Sequence, residues 1–141
     1  METPTVTGRA ETAFFTKTYD EALSLLEETY AYLSYYHPIG DELDDPLDIL
    51  VIRTEAFRLS SRLMQVTAWL LARRAVHNGE LDARTVAVDP KYSLGARAVC
   101  RDDHLHGHPA IPVTLTDLLE RSLGLYVRIE RLDGLRKRSV H

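Results

Sequence analysis

The longest helical pattern in the chain runs over residues 46–78 and contains no glycine and no proline after its first position. Asp45 precedes it as a good N-cap, and Pro46 suits the first helical position, where its missing N–H costs nothing. Asn78 and Gly79 supply a left-handed stop. At 1.5 Å per residue, these signals predict a central helix roughly 48 Å long.

Two stripes of apolar or small residues follow this helix at alternating spacings of three and four. The first stripe comprises Ile49, Ile52, Ala56, Leu59, Leu63, Val66 and Leu70. The second stripe comprises Leu47, Leu50, Thr54, Phe57, Ser61, Met64, Ala68, Leu71 and Ala75. At about 100° per residue the two stripes point to nearly opposite sides of the helix. The helix must therefore be covered on both sides.

The same spacing predicts two further helices, over residues 13–36 and 114–133. A polar arm precedes them at 1–12, a long loop with a short helix spans 80–113, and a basic tail occupies 134–141. A chain of 141 residues suits a single domain. The pattern predicts an all-α fold, an antiparallel three-helix bundle with a long central helix.

In such a bundle each helix touches two neighbours, and these cannot cover two stripes on opposite sides. The apolar stripe that remains uncovered predicts a homodimer with two-fold symmetry. Small residues allow close helix approach, which favours the second stripe as the interface; the alternative, that the first stripe holds the partner chain, stays open. The predicted interface residues are Thr54, Phe57, Ser61, Met64, Ala68 and Leu71.

Composition narrows the function classes. A net charge of −4 argues against a general nucleic-acid binder, which usually carries a basic face. The single cysteine, Cys100, excludes an internal disulfide and suits a reducing cytoplasm. Residues 1–12 lack the apolar core of a secretory signal. The longest apolar run, 66–72, is far below the ~20 residues that span a bilayer, so we expect a cytoplasmic protein without a membrane partner.

The one local concentration of metal-ligand chemistry lies at His104, His106 and His108, shortly after Cys100. Alternating histidines on an extended segment place their rings on one side, where they can converge on zinc or copper. The more ordinary interpretation is an exposed, histidine-rich loop. The serines of the predicted helices lack a neighbouring His and Asp pattern. We predict no catalytic residue, no cofactor and no metal, with these three histidines as the remaining candidates.

The run at 58–71, Arg-Leu-Ser-Ser-Arg-Leu-Met-Gln-Val-Thr-Ala-Trp-Leu-Leu, is distinctive. It resembles the RcdA family of alphaproteobacteria, the regulators of CtrA degradation. Further pieces resemble the family's first helix, second-helix end, loop and third helix. They are Phe14, Phe15, Glu27, Glu28, Tyr32 and Leu33; Arg73, Ala75, Val76, His77, Gly79 and Glu80; Lys91, Tyr92 and Leu94; and Glu120, Arg121, Ser122, Leu125, Tyr126, Arg128, Arg131, Leu132 and Asp133.

The resemblance implies a dimer of three-helix bundles without enzymatic activity. It also implies an adaptor that helps bring protein cargo, the regulatory substrates, to the ClpXP protease together with a CpdR-type response regulator. Two other functions stay open: a generic dimeric helical scaffold, and a metal-binding protein that uses the histidine-rich loop. The chain departs from the family at that loop and in its short C-terminal extension.

Overall fold

A computed structural model describes the backbone of residues 6–35 and 45–140 and the side chains of 14–35 and 45–135. The regular secondary structure of these residues consists of helices alone, with no strand, which confirms the predicted all-α class. Among them, no helix has the length and apolarity that crossing a membrane requires. The helices are α1 (Val6–Tyr35), α2 (Pro46–His77), α3 (Ala83–Val88), a 3₁₀ turn (Pro90–Tyr92), α4 (Arg97–Cys100) and α5 (Val113–Val140).

The caps of α2 explain why its bounds differ from the prediction by one residue only. Asp45 is extended and its Oδ1 accepts the Leu47 N–H at 2.9 Å. Pro46 occupies the first turn. At the other end Asn78 is the C-cap and Gly79 has a φ of 75°, the left-handed conformation that glycine adopts without steric cost.

The outer ends of α1 and α5 extend beyond the predicted helices. α1 begins at Val6, inside the segment expected to be an arm; that segment lacks an apolar period but contains three good helix formers in a row, Arg9, Ala10 and Glu11. α5 continues through the predicted tail, because Asp133 does not cap it: its carboxylate points inward and accepts a hydrogen bond from Trp69. Residues 1–5, 36–44 and 141 lie outside the described residues, so the predicted end of the first helix at residue 36 does too.

α1 packs antiparallel to α2. The Phe15 ring lies 5.6 Å from the His77 ring, and one turn further along α1 the Tyr19 ring lies 4.9 Å from the guanidinium carbon of Arg74. Residue numbers therefore increase along α1 in the direction in which they decrease along α2. α1 therefore starts beside the end of α2, as the predicted antiparallel arrangement requires.

α5, by contrast, runs parallel to α2. Arg62 donates to the Leu119 carbonyl at 3.0 Å, and Trp69 Nε1 donates to Asp133 Oδ1 at 3.0 Å, so positions rise together along both helices. The expectation of an antiparallel bundle is wrong for this pair. The physical reason is the segment 78–112, which travels back along α2 before α5 begins and resets the direction of the chain.

The core lies between the three long helices and is built on the first stripe. Five members of that stripe are at most 5 % exposed. They form one cluster with apolar side chains of α1 and α5. Because α1 and α5 already cover the first stripe, it cannot also hold a partner chain. The buried members are Ile52, Leu59, Leu63, Val66 and Leu70, packed with Ala22, Leu25, Leu115, Leu118, Leu125 and Ile129 among others.

Candidate functional site: two faces of the central helix

The segment 78–112, called the strap below, lies along α2 and is held by polar side chains of that helix. Irregular backbone leaves carbonyl and N–H groups that need partners when they are buried. α2 supplies these partners from one side, at spacings of four, three, four and four residues. This polar stripe comprises Arg58, Arg62, Gln65 and Arg73, which bond strap backbone, and Trp69, which donates to a carboxylate of α5 that itself holds the strap.

Arg62 is the most heavily bonded member of the polar stripe and is only 2 % exposed. Its guanidinium donates to the carbonyls of Cys100 at 2.7 Å, Asp102 at 2.9 Å and Leu119 at 3.0 Å. Burial lowers the pKa of Arg62, and the charge of nearby Arg58 lowers it further. A hydrogen bond from a charged donor contributes roughly 1.5–3 kcal/mol. Arg62 therefore ties the strap to both α2 and α5.

Arg58 anchors the same end of the strap one turn earlier. Its Nε donates to Glu55 Oε1 at 3.0 Å, and both side chains are buried. Nη1 donates to the Val99 carbonyl, and Nη2 lies 3.6 Å from Asp102 Oδ2. Glu55 thus balances the charge of Arg58. The terminal guanidinium nitrogens of Arg58 remain available to hold the strap.

Asp133 and Arg73 hold the strap at Tyr92 and Leu94, beside the C-terminal part of α2. The Asp133 carboxylate accepts the Trp69 indole N–H at 3.0 Å and the Leu94 N–H at 3.3 Å. Arg73 Nη2 lies 3.6 Å from the same carboxylate, and Arg73 Nη1 donates to the Tyr92 carbonyl at 2.6 Å. A carboxylate from α5 and a guanidinium from α2 therefore join the strap to both helices.

Gly95 is the pinned centre of the strap. Its N–H donates to Gln65 Oε1 at 2.8 Å, and its carbonyl accepts the Tyr126 hydroxyl at 2.8 Å. Burial raises the pKa of Tyr126 to about 12, so its hydroxyl stays protonated and able to donate. A Cβ at Gly95 would lie 3.1 Å from Gln65 Oε1, closer than ordinary contact. The absence of a side chain thus permits the close approach of strap and helix.

The polar stripe was missed at the sequence level because its arginines look like a solvated helix flank. A signal was present: donors recur at the three-four spacing that identified the apolar stripes. Buried arginine is rare unless it is paired, so composition alone gives little reason to place such a stripe inside. Four of its five members, all but Arg73, lie in the run at 58–71 that carries the family resemblance.

The second stripe of α2 faces away from the core. Five large apolar side chains protrude: Leu47, Leu50, Phe57, Met64 and Leu71, exposed by 69, 60, 65, 69 and 45 %. Such residues on one helix face exceed the scattered apolar exposure of an ordinary monomer surface. The structure brings the predicted interface residues together on this outer face, namely Thr54, Phe57, Ser61, Met64, Ala68 and Leu71.

A groove of about 590 Å³ borders the C-terminal half of the outer face. Three alanines, Ala68, Ala72 and Ala75, recur among its α2 lining residues. The strap forms its far wall. The lining residues are Gln65, Ala68, Trp69, Leu71, Ala72 and Ala75 from α2, with Leu81, Lys91, Tyr92 and Ser93.

The three candidate metal ligands each have a separate partner. His104 Nδ1 lies 2.7 Å from the Asp102 carboxylate, His106 Nε2 lies 2.8 Å from Glu120 Oε1, and His108 Nδ1 accepts a backbone N–H. Hydrogen bonds from the His104 backbone and ring lower the pKa of Asp102. In the described part of the chain, no three His, Cys, Asp or Glu side chains are grouped to hold a metal ion.

Comparison with known proteins agrees with the sequence resemblance. The crystal structure of RcdA from Caulobacter crescentus CB15 is similar to this chain, with 32 % sequence identity and a TM-score of 0.66; the match covers 86 % of this chain and 89 % of that one. No curated protein matches. The sequence profile described as "Protein of unknown function (DUF1465)" matches residues 7–140. The chain therefore belongs to the DUF1465 family of RcdA-like proteins.

Proposed function

We propose that this protein is a non-enzymatic, homodimeric adaptor of cell-cycle proteolysis in the cytoplasm. It helps deliver regulatory substrates to the ClpXP protease, together with a CpdR-type response regulator. The observation that carries the proposal is the similarity to RcdA over 86 % of the chain. The sequence resemblance to the RcdA family supplies the protease, the regulator and the cargo as expected partners.

The arrangement of α2 suits an adaptor. Its polar stripe holds the strap with buried side chains, so the body of the protein is rigid and presents fixed surfaces. An adaptor accelerates degradation by raising the effective concentration of cargo at the protease, which needs two binding surfaces and no catalytic group.

The first partner that we propose is a second copy of this chain, bound through the outer face of α2. The exposed apolar side chains of that face gain by leaving water, at about 25 cal/mol per Å². A closed two-fold pair uses the same patch on both chains. Dimerisation would leave the outer surfaces of α1 and α5 available for the protease and the cargo.

A reconstituted degradation assay tests the adaptor role. It contains ClpXP, a CpdR-type regulator and a CtrA-type cell-cycle regulator as cargo, with this protein titrated from zero. We expect cargo loss to accelerate and then slow at excess adaptor, since surplus copies hold protease and cargo apart. A degradation rate that stays constant across the titration contradicts the adaptor role for that cargo.

A binding experiment separates the adaptor from a generic dimeric scaffold. The purified protein, immobilised without a histidine tag, is offered ClpX and the CpdR-type regulator together. Retention of both supports the adaptor. Retention of neither favours the scaffold, whose support here is the exposed apolar face alone. Metal analysis of the same untagged protein tests the third alternative, the histidine-rich loop.

A further inference from the structure

A cavity of about 350 Å³ lies between the N-terminal half of α1 and the C-terminal end of α2. Its buried lining residues are apolar, whereas its exposed lining residues are polar or charged. None of its α2 lining residues belongs to the outer face, so the cavity and the proposed homodimer use different parts of the helix. Its lining includes buried Phe15 and Leu70, half-buried Tyr19 and His77, and exposed Asp20 and Arg74.

The apolar part of the cavity is held in place by packing. The Phe15 ring lies 5.6 Å from the His77 ring and 6.1 Å from the Trp69 ring, and Leu70 is buried. Aromatic rings attract one another at centroid separations of roughly 4.5–7 Å, and apolar surface gains free energy when it leaves water. An aromatic or large apolar side chain is therefore the group that suits this part of the cavity.

The charged part of the cavity presents a guanidinium that has no anionic partner. The guanidinium carbon of Arg74 lies 4.9 Å from the centre of the Tyr19 ring, which positions the charge without using its N–H groups. Asp20 lines the same cavity, yet it forms no ion pair with Arg74, and no other described residue supplies Arg74 with a hydrogen-bond acceptor. Because a guanidinium binds a carboxylate through two parallel hydrogen bonds, Arg74 suits a ligand that carries a carboxylate.

The end of α2 does not oppose an anion beside Arg74. The C-terminus of a helix repels negative charge when its last carbonyls are bare. Here these carbonyls accept backbone N–H groups of the following turn, and Arg74 adds a positive charge to the last turn. The bonds join Asn78 N–H to the Arg74 carbonyl, Glu80 N–H to the Ala75 carbonyl and Gly79 N–H to the Val76 carbonyl.

We propose that this cavity binds the C-terminal residue of a protein chain, with an aromatic or large apolar side chain against Phe15 and Leu70 and its carboxylate on Arg74. Asp20 offers an acceptor for a backbone N–H of the bound chain. The exposed side of the cavity gives the rest of that chain a path to solvent. A free aromatic amino acid shares this chemistry. The choice of a protein chain rests on the proposed adaptor function, because the ligands of an adaptor are proteins.

The volume of the cavity agrees with a single residue. A water molecule occupies about 30 Å³ of the liquid, so 350 Å³ has room for about a dozen non-hydrogen atoms. One aromatic amino acid has this size. A nucleotide or a larger cofactor exceeds it.

NMR titration of the isotopically labelled, full-length protein tests the site with peptides of defined C-terminus. The probe is acetyl-Gly-Ala-Gly-Phe with a free carboxylate; its C-terminal amide and acetyl-Gly-Ala-Gly-Gly are the matched controls. We expect the probe to shift the backbone N–H signals of the lining residues Thr16, Tyr19, His77 and Asn78. The amide loses the charged bond to Arg74 and the glycine peptide loses the apolar burial, so each should bind at least about tenfold more weakly.

Two variants separate the guanidinium of Arg74 from positive charge in general. Arg74→Met, at an exposed position, should weaken binding of the probe at least about tenfold and leave the affinity for the amide unchanged. Lys17→Met removes an exposed positive charge next to the lining residue Thr16 and should change neither affinity. Equal weakening in the two variants, or equal binding of acid and amide, overturns the role of Arg74. A titration to about 10 mM in which no probe shifts the lining signals overturns the site.

Free phenylalanine distinguishes the two sources of the ligand chemistry. Weaker binding of phenylalanine than of the probe supports a chain terminus, because the preceding residues of the probe add contacts at the opening. Equal or tighter binding overturns the chain terminus in favour of a free amino acid. The titration needs no protease, so a protein that binds the probe but leaves the rate of cargo degradation constant supports the cavity and contradicts the adaptor role alone.

Discussion

The two sides of α2 invert the usual distribution of residues. On the strap side, charged side chains are buried: Glu55, Arg58, Arg62 and Arg73 are at most 6 % exposed. On the outer side, large apolar side chains such as Met64 protrude into solvent. The buried charges have their partners within the chain, in strap carbonyls and carboxylates. Within the described part of the chain the exposed apolar side chains protrude from the surface, and we propose a second copy of this chain as their partner.

The difference shows that burial alone does not identify a binding face. A strap of irregular backbone needs hydrogen-bond donors, and arginine delivers several from one side chain in a planar fork. An outer apolar stripe needs only shape and area, which any second helix can supply. The first side therefore stabilises the fold, and we propose that the second side serves association.

The largest expected effect on the strap side is that of Arg62→Met. The substitution keeps an unbranched apolar stem but removes the guanidinium, which leaves the carbonyls of Cys100 and Asp102 without the donor that Arg62 supplies. An unsatisfied buried acceptor costs about 1–3 kcal/mol, so the free energy of unfolding should fall by ~3 kcal/mol or more. Urea denaturation measures the change.

Arg53→Met is the matched control, because Arg53 is an exposed arginine on the same helix. Its effect should stay within ~0.5 kcal/mol. Equal losses in the two variants would contradict the role of Arg62 as an anchor of the strap.

Asp133→Ala is expected to have the next largest effect on stability. It removes the acceptor of the Trp69 indole and of the Leu94 N–H, and leaves Arg73 without its carboxylate. We expect a loss of about 2 kcal/mol in the free energy of unfolding. Glu130→Ala removes a more exposed carboxylate of the same helix and should cost less than 1 kcal/mol. A thermal shift for Glu130→Ala as large as that for Asp133→Ala would refute this account.

The smallest effect is expected at the exposed pair of Glu28 and Arg121, which joins α1 to α5 at 2.6 Å. The hydrogen bond from Arg121 lowers the pKa of Glu28 below its ordinary value of 4.5. Its stabilising contribution is therefore present above pH 4.5 and is lost as the pH falls through the lowered pKa. Both side chains are largely exposed, so Glu28→Gln should cost less than 1 kcal/mol at pH 7. Unfolding curves at pH 7 and pH 3 should show a smaller difference from wild type at the lower pH.

The sequence predicted α2 well because its signals are local. Asp45 caps the helix, Gly79 ends it, and the periodicity places Leu59 and Leu63 inside and Phe57 outside. Local signals also failed where a side chain serves a distant partner. The third helix was predicted to end at Asp133, yet α5 continues past it and the Asp133 carboxylate accepts a hydrogen bond from Trp69, 64 residues earlier in the chain.

The strap could not be predicted for the same reason. Arg62 bonds carbonyls 38, 40 and 57 residues away, and a backbone carbonyl carries no side-chain identity that the sequence could display. The parallel direction of α5 follows from the path of the strap, and so was missed with it. The outer face was predictable because it needed only spacing and apolarity.

The central claim is that the outer face of α2 binds another copy of this chain. Light scattering of the wild type and of Met64→Glu tests it most directly, because a charge placed in an apolar interface has no partner there. Arg84→Glu, an exposed substitution on α3, is the control. The account predicts twice the mass of one chain for the wild type and the control, and a single chain for Met64→Glu with helix content unchanged. A Met64→Glu protein that stays dimeric, or a monomeric wild type, would contradict it.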